Sequence, residues 1–141
     1  MGLRLIDSLG FIVNRTNTRM KNNLLHHFKD YDVTPEQWAV LNCLWDQDGI
    51  SPKELAELTS KDQPTTVRML SKLEKKGFIT RQVNPDDNRA YFIYLTSEGR
   101  ELKDKLFPLA LKAFDKAIKD INKKQIEEVK IVLNKIFNNL E

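Results

Sequence analysis

Basic side chains are concentrated in one segment of the sequence, residues 61–89. This segment carries seven lysines and arginines against four aspartates and glutamates, so its excess of +3 equals the net charge of the whole chain. Guanidinium and ammonium groups clustered in this way can hold phosphates or line the grooves of a nucleic acid. A solvated surface has the same composition, so the elements that carry these residues must decide between the two interpretations.

The length and composition of the sequence indicate a globular chain of single-domain size. Its 141 residues are 40% hydrophobic and 30% charged, which is typical of a folded protein with a core of its own. No apolar run approaches the roughly 18 residues of a membrane span, and no secretory cleavage motif is present. The single cysteine, Cys43, has no partner for an internal disulfide. We therefore expect a cytoplasmic protein.

Residues suited to catalysis or to a metal do not form a recognisable set. The sequence has no glycine-rich phosphate loop, no nucleophile elbow and no metal-ligand spacing. His26 and His27 are neighbours, and on a helix they would point about 100° apart, which makes a poor chelating pair. We interpret Cys43 as apolar packing on its helix. The prediction is a protein that is not an enzyme and uses no metal or cofactor.

Two helix starts of similar sequence precede the basic segment, TPEQ at 34–37 and SPKE at 51–54. In each, a hydroxyl residue at the N-cap is followed by proline and then by Gln or Glu at the third helical position, which predicts a capping box. Another helix is predicted over 63–76. A short helix, a turn and a second helix with a polar outer face form a helix-turn-helix. We expect Val67, Leu70 and Leu73 on the inner face, and Thr65, Thr66, Arg68, Met69 and Lys72 on the outer face.

The hydrophobic period changes to two after this helix. FITRQV (78–83) and AYFIYL (90–95) are rich in β-forming residues, which predicts a hairpin with a six-residue tip at 84–89. A hairpin in this place is the wing of a winged helix. An arginine at such a tip gains from the negative potential of a narrow minor groove, which suits Arg89. Asp87 could stiffen the tip by accepting hydrogen bonds from the backbone or from a cation.

Three amphipathic helices flank this unit. The first covers residues 3–28, the second is a long helix that starts after Thr96, and the third starts at Asn122. We expect Pro108 to kink the second of these helices. Their apolar faces exceed what a small winged-helix core can cover. An intramolecular bundle or a two-fold dimer would cover them, and cyclic dimers are the commonest soluble oligomers. The predicted fold class is mainly α with a small β-hairpin.

We predict a single domain over residues 1–141. Residues 34–96 form the winged helix-turn-helix, and residues 1–30 and 97–141 form a helical dimerisation region.

Residues 72–99, KLEKKGFITRQVNPDDNRAYFIYLTSEG, resemble the MarR (multiple antibiotic resistance regulator) family. The resemblance is carried by LEKKG at 73–77, Arg81, DNR at 87–89 and LTSEG at 95–99. It implies a homodimer with interlocked terminal helices that binds a short, imperfectly palindromic operator on double-stranded DNA, usually to repress. It also implies that Arg89 enters the minor groove and that Asp87 anchors the wing, with Arg81 or Arg68 as the partner of Asp87.

Helix 63–76 is then expected in the major groove and the wing 84–89 in the minor groove. Arg68 could bind a guanine with both arms of its guanidinium, and Lys72 could bind a phosphate. The N–H groups at the start of the second helix, beside Ser51, could hold another phosphate. The expected DNA-contacting residues are Ser51, Pro64, Thr65, Thr66, Arg68, Met69, Lys72, Arg81, Asn88 and Arg89.

Many members of the family bind small aromatic or anionic effectors in a cleft between the dimer helices and the winged helix. Phe11, Trp38 and Trp45 could line such a cleft, although aromatic residues at these positions are also compatible with simple core packing. An alternative function is a winged-helix protein-interaction module that dimerises without specific DNA binding. An exposed Met69 would favour that alternative, whereas Arg68 and Arg89 argue against it.

Overall fold

The computed structural model describes residues 4–140, apart from the side chain of Asn88. This part of the chain is mainly helical with one antiparallel hairpin, as the sequence predicted. None of the helices within it is both long and apolar enough to span a membrane. The elements are α1 (Leu9–His27), α2 (Pro35–Asp46), α3 (Pro52–Thr59), α4 (Gln63–Lys75), β1 (Ile79–Asn84), β2 (Asp87–Leu95), α5 (Ser97–Ala117) and α6 (Lys123–Asn139).

Side-chain caps determine where the helices begin. Ser8 accepts a hydrogen bond from the N–H of Phe11, so α1 starts at Leu9 and only a short 3-10 turn precedes it, rather than a helix from residue 3. Thr34 and Gln37 form both halves of the predicted capping box of α2. At α3 only the bond from the N–H of Glu54 to the Ser51 hydroxyl is present, so the second predicted box is half formed.

The core lies where α2, α3, α4 and the hairpin meet α1 and α5. Phe28 from the end of α1 is fully buried in it, and so is Leu106 of α5. Apolar side chains from the helices and the hairpin fill the space between them. The innermost residues include Leu41, Leu44, Leu55, Leu70, Leu73, Ile79 and Ile93.

The hairpin has a shorter tip than the sequence suggested. Pairing runs from Ile79 opposite Leu95 to Val83 opposite Tyr91, and after an irregularity Asn84 pairs with Asp87. A two-residue turn of Pro85 and Asp86 replaces the expected six-residue tip. The Asn84 side chain accepts a hydrogen bond from the N–H of Asp86, which is the local bond that makes Asn favourable in turns.

The start of α5 is joined tightly to the base of the hairpin. The Asp48 carboxylate accepts hydrogen bonds from the N–H groups of Gly49 and Leu95, at 3.1 and 2.9 Å, and pairs with Arg100 at 3.1 Å. The indole N–H of Trp45 donates to the carbonyl of Gly99 at 2.9 Å. A Cβ atom at Gly99 would collide with the carbonyl oxygen of Phe78.

The helices at the two ends of the chain expose much of their apolar surface. In α6 no residue is fully buried. α5 runs without interruption through Pro108 and ends at Ala117, and Asp120 adopts a left-handed conformation in the connection to α6. Asn122 caps α6, where the sequence placed the start of the last helix.

Candidate nucleic-acid interface

Helix α4 begins at a strong cap. A carboxylate oxygen of Asp62 accepts a hydrogen bond from the N–H of Thr65 at 2.7 Å. This backbone bond is the largest cause that lowers the pKa of Asp62, followed by the bond from the Thr65 side chain. The cap therefore stays ionised at neutral pH, and it favours the first turn of the helix through the helix dipole.

The outer face of α4 presents Pro64, Arg68 and Lys72, all exposed. The guanidinium of Arg68 donates to the hydroxyl of Thr65 at 3.2 Å, and this contact holds the head group along the helix surface. Thr65 and Met69 are half-buried, and Met69 packs against the core. An exposed Met69 would have favoured a protein-interaction module, but Met69 is not exposed in this structure.

Thr66 does not lie on the outer face of α4, so the prediction that placed it there is wrong. The residue is 1% exposed, and its hydroxyl donates to the carbonyl of Asp62 at 2.9 Å. This internal bond satisfies the hydroxyl, so burial carries little cost. The inner stripe of α4 is Thr66, Leu70 and Leu73, at the spacing of one helix face, and Val67 is only half-buried.

The wing carries one very exposed cation. The side chain of Arg89 is 94% exposed, and its Nε lies 3.6 Å from Oδ1 of Asp87. The same carboxylate oxygen accepts a hydrogen bond from the N–H of Arg89 at 3.0 Å. Asp87 thus binds the wing's own backbone, and its stabilising role stays a prediction. The side chain of Asn88 lies outside the described residues.

Neither arginine expected to pair with Asp87 does so in this structure. Arg68 contacts Thr65, whereas Arg81 lies between α4 and the hairpin. Nε of Arg81 is 3.2 Å from a carboxylate oxygen of Glu74, and one of its terminal nitrogens donates to the hydroxyl of Ser71 at 2.9 Å. This arrangement was not predicted from the sequence, because tertiary packing brings the helix residues and the strand residue together.

Ser51 is half-buried at the start of α3, and its hydroxyl accepts the N–H of Glu54 at 3.1 Å. The first turn of α3 therefore has one of its N–H groups satisfied within the protein. Pro52 has no N–H, and the N–H of Leu55 donates to the carbonyl of Ser51, so the N–H of Lys53 is the one in that turn that could bind a phosphate.

A separate cavity of about 320 Å³ lies between α1, α2 and α5. Trp38 lines it, and the indole ring packs against Phe28, Trp45 and Phe107, with ring centroids 5.1, 5.4 and 5.8 Å away. Phe11 and Trp45 are not among its lining residues, so of the three aromatic residues predicted to line an effector cleft this cavity includes only Trp38. The lining residues are Asn17, Met20, Lys21, Asn23, Leu24, Pro35, Trp38, Ala110, Ala113, Phe114 and Ala117.

Lys21 places a cation at this cavity. Its Nζ is 3.1 Å from the carboxylate of Glu36 on α2. Burial acts to raise the pKa of Glu36, but a backbone hydrogen bond and the bond and charge of Lys21 outweigh it, so the net pKa is lowered. The carboxylate of Glu36 therefore remains charged at neutral pH.

Cys43 is half-buried and packs against the core. Burial and, secondarily, the charge of Asp46 raise the pKa of its thiol, which keeps it protonated and poorly nucleophilic. The His26 and His27 rings meet edge to face, 5.9 Å apart. Within residues 4–140, no cluster of three or more His, Cys, Asp or Glu residues could hold a metal ion.

Residues 33–91 match a family model described as the MarR family. The transcriptional regulator HosA of Escherichia coli O111:H- is 32% identical over 78 residues, which are 55% of this chain and 58% of HosA. The regulator SarZ of Staphylococcus aureus (strain MRSA252) is 29% identical over 111 residues, 79% of this chain and 75% of SarZ. The chain thus spans little more than half of HosA and three quarters of SarZ.

The fold is similar to solved structures over almost its whole length. A crystal structure of mutant MarR from E. coli, complexed with operator DNA, has a TM-score of 0.86 and 26% sequence identity. The similarity covers 93% of this chain and 94% of that one. The winged-helix segment of this chain, residues 33–91, thus belongs to the MarR family, and the fold of almost the whole chain is similar to that of E. coli MarR.

Proposed function

We propose that the protein is a homodimeric, sequence-specific regulator that binds double-stranded operator DNA in the cytoplasm, represses transcription and is released by a small effector. It has no enzymatic role in this proposal. The observation that carries it is the pair of cationic elements on one winged helix: the Arg68 and Lys72 face of α4 and the 94% exposed Arg89 of the wing. The similar fold of E. coli MarR in complex with operator DNA supports it.

The outer face of α4, within residues 63–76, is assigned to the major groove, whose width of about 12 Å admits a helix. There Arg68 reads a guanine edge, while Lys72 and the first turn of α3 hold phosphates. The wing, residues 84–89, is assigned to the minor groove, where Arg89 gains from the negative potential. Thr66 has no part in this interface because it is buried.

The dimer is proposed to form through the terminal helices, residues 1–30 and 97–141. Apart from Ile131, the apolar residues of α6 occupy an arc of about 140° on a helix of 3.6 residues per turn, and most of them are exposed. A stripe of this kind is expected to be covered by another apolar surface. The stripe consists of Ile126, Val129, Val132, Leu133, Ile136, Phe137 and Leu140. Exposed Leu9, Ile12 and Val13 of α1 and Leu111 and Phe114 of α5 add to the apolar surface of these helices.

The effector is proposed to be a small aromatic anion that binds in the 320 Å³ cavity. Trp38 offers an aromatic wall, and Lys21 offers a cation that would exchange its ion pair with Glu36 for the anionic group of the ligand. A larger concavity, of about 890 Å³, adjoins Arg15, Arg19 and Lys116. Apart from His26 it has no aromatic side chain in its lining, so it suits an aromatic ligand less well.

Aromatic carboxylates should therefore compete with DNA. In a titration of the protein–DNA complex, an active compound should release DNA and change the tryptophan fluorescence at the same concentration. Ala110→Phe, which fills the cavity, should abolish the response and leave DNA affinity unchanged. Ala39→Phe, on the exposed side of α2, is the matched control and should retain the response. Release that persists in Ala110→Phe contradicts this cavity as the effector site.

The main test is a selection from a random pool of duplexes at physiological salt, with effector-free protein. Wild type should enrich a roughly palindromic site whose half-sites are about one helical turn, or 34 Å, apart. Arg89→Ala should lose about tenfold in affinity across all sequences, because its contact is to groove shape and phosphate. Folded wild-type protein that enriches no sequence contradicts the proposal and favours the protein-interaction module.

Arg68→Ala, tested in the same selection, should have a different effect from Arg89→Ala. It should also weaken binding, but it should relax the preference at one base pair in each half-site, since a bidentate base contact is worth about 1–3 kcal/mol of discrimination. Equal losses on the selected site and on random DNA contradict the assignment of Arg68 to a base edge.

A further inference from the structure

Arg81 of the hairpin makes two contacts with α4 and a third within the hairpin itself. Its Nε lies 3.2 Å from Oε1 of Glu74, and a terminal nitrogen donates to the hydroxyl of Ser71 at 2.9 Å. Its guanidinium carbon lies 5.2 Å from the ring centroid of Tyr91, within the range of a cation–π contact. We call Ser71, Glu74, Arg81 and Tyr91 the α4–wing cluster.

The positions of these residues in their elements explain why they meet. Ser71 and Glu74 are three residues apart on α4, so they lie on one face of the helix. Arg81 is opposite Ile93 in the hairpin, and Tyr91 is two residues from Ile93 on the same strand. Arg81 and Tyr91 are thus diagonal neighbours on one face of the hairpin. A planar guanidinium can bond along its edge and stack through its face at the same time, which lysine cannot do.

The charge of Arg81 is engaged within the protein. Its side chain is 32% exposed, compared with 94% for Arg89. The Nε atom is shielded from solvent, and Glu74 neutralises it as an ion pair without an aligned hydrogen bond. To bind a phosphate, Arg81 would have to leave Glu74, Ser71 and the ring of Tyr91.

The cluster lies between the buried base of the hairpin and its exposed tip. At the base, Ile79 and Ile93 are buried in the core. Toward the tip, Val83 is 60% exposed and Arg89 is 94% exposed. The hairpin therefore projects into solvent beyond Arg81, and a contact at this point controls the angle between the wing and α4.

We infer that Arg81 is a positioning residue, which holds the wing against α4 through Glu74 and Ser71 so that Arg89 reaches the minor groove while α4 occupies the major groove. The ring of Tyr91 keeps the guanidinium in place from the hairpin side. The inference rests on the proposed function for its DNA-binding consequence. It replaces the expectation that Arg81 itself contacts DNA. Glu74 is an acid on the proposed DNA-binding helix, but under this inference it supports DNA binding because it holds Arg81 in place.

Glu74→Gln separates the two roles by the sign of its effect on DNA affinity. If Arg81 positions the wing, loss of the ion pair should weaken binding to the selected duplex about three- to fivefold, in line with the modest energies of partly exposed pairs. If Arg81 contacts DNA, removal of Glu74 frees a cation and deletes a negative charge, so binding should strengthen. Glu57→Gln is the matched control: Glu57 is exposed on α3 and forms no ion pair within the described residues.

A double-mutant cycle tests whether Arg81 acts through Arg89. Arg81→Gln alone should weaken binding about tenfold, but it should have little further effect in an Arg89→Ala background, because the misplaced wing has then already lost its cation. Losses that multiply in the double variant contradict the inference. Exchange of the pair, Glu74→Arg with Arg81→Glu, should restore part of the affinity with the net charge unchanged.

The free protein supplies a readout that does not depend on DNA. Backbone amide relaxation should show that Glu74→Gln increases the mobility of residues 82–90, while the helices and the melting temperature remain close to wild type. Unchanged wing order overturns the inference even where DNA binding is intact. If wild type binds no DNA sequence, the proposed function fails, and the relaxation data still decide whether the cluster orders the wing.

Discussion

A variant carrying Leu133→Asp and Phe137→Asp is expected to be monomeric and to bind the full palindromic site about 100-fold more weakly than wild type. Both side chains lie on the apolar stripe of α6, where they are 40% and 64% exposed. Two carboxylates would have to be desolvated in the proposed interface. Without a partner the second half-site no longer adds to binding, and linked sites commonly gain 10²–10⁴-fold. Light scattering and titrations with full-site and half-site duplexes measure the two effects.

Ile131→Asp is the matched control for this variant. Ile131 is 56% exposed on α6 but faces away from the stripe, so its replacement should leave a dimer with nearly full affinity. On a half-site duplex, the double variant should bind about as well as one protomer of wild type. A double variant that remains dimeric, or a wild type that is monomeric at micromolar concentration, contradicts the proposed interface.

Gly99→Ala is expected to lower the free energy of unfolding by about 3 kcal/mol or more, within the range for overpacking of a rigid site. The added Cβ would collide with the carbonyl oxygen of Phe78 and lie 3.2 Å from Leu95. The Phe78 carbonyl already accepts the N–H of Thr96 at 3.0 Å, so it cannot move away without breaking that bond. Thermal unfolding should show a decrease of about 10 °C in the melting temperature.

Gly10→Ala makes the same chemical change where there is space. Beyond its chain neighbours and the backbone of its own helix, no atom of the described residues lies within 4 Å of a Cβ built at Gly10, which is exposed on α1. The substitution should leave the melting temperature unchanged or raise it slightly, because alanine favours helix over glycine by up to about 1 kcal/mol. Equal melting temperatures for Gly99→Ala and wild type contradict the close approach of α5 to the strand.

Local sequence signals predicted the elements of this fold well. Thr34 and Asn122 mark helix starts because a cap is a bond between residues three apart, which a sequence displays directly. The change of hydrophobic period located the hairpin. Its tip was predicted too long because Asn84 and Asp87, polar residues typical of turns, are paired as strand residues.

The site was predicted less completely, because its side chains depend on distant partners. Thr66 was placed outward by its polarity, but its hydroxyl finds an acceptor within its own helix and can be buried. Arg81 meets Glu74 and Tyr91 only after the hairpin packs against α4. Phe11 and Trp45 are aromatic, as the predicted cleft requires, but both contact other groups. The indole N–H of Trp45 donates to the carbonyl of Gly99. The ring of Phe11 lies under the guanidinium of Arg15 on the same helix.

The bonds of Asp48 to Gly49, Leu95 and Arg100 join the base of the hairpin to the first turn of α5, so the two should move as one rigid unit. In the proposed dimer, because α5 begins at this junction, a rotation of the terminal helices about the dimer axis should carry the whole winged helix with it. Over about 17 Å, half the spacing of two half-sites, a rotation of about 10° moves α4 by about 3 Å. That is close to one base-pair step, about 3.4 Å along the duplex. In the proposed dimer, an effector that causes such a rotation would move each α4 away from its half-site without any change within the winged helix.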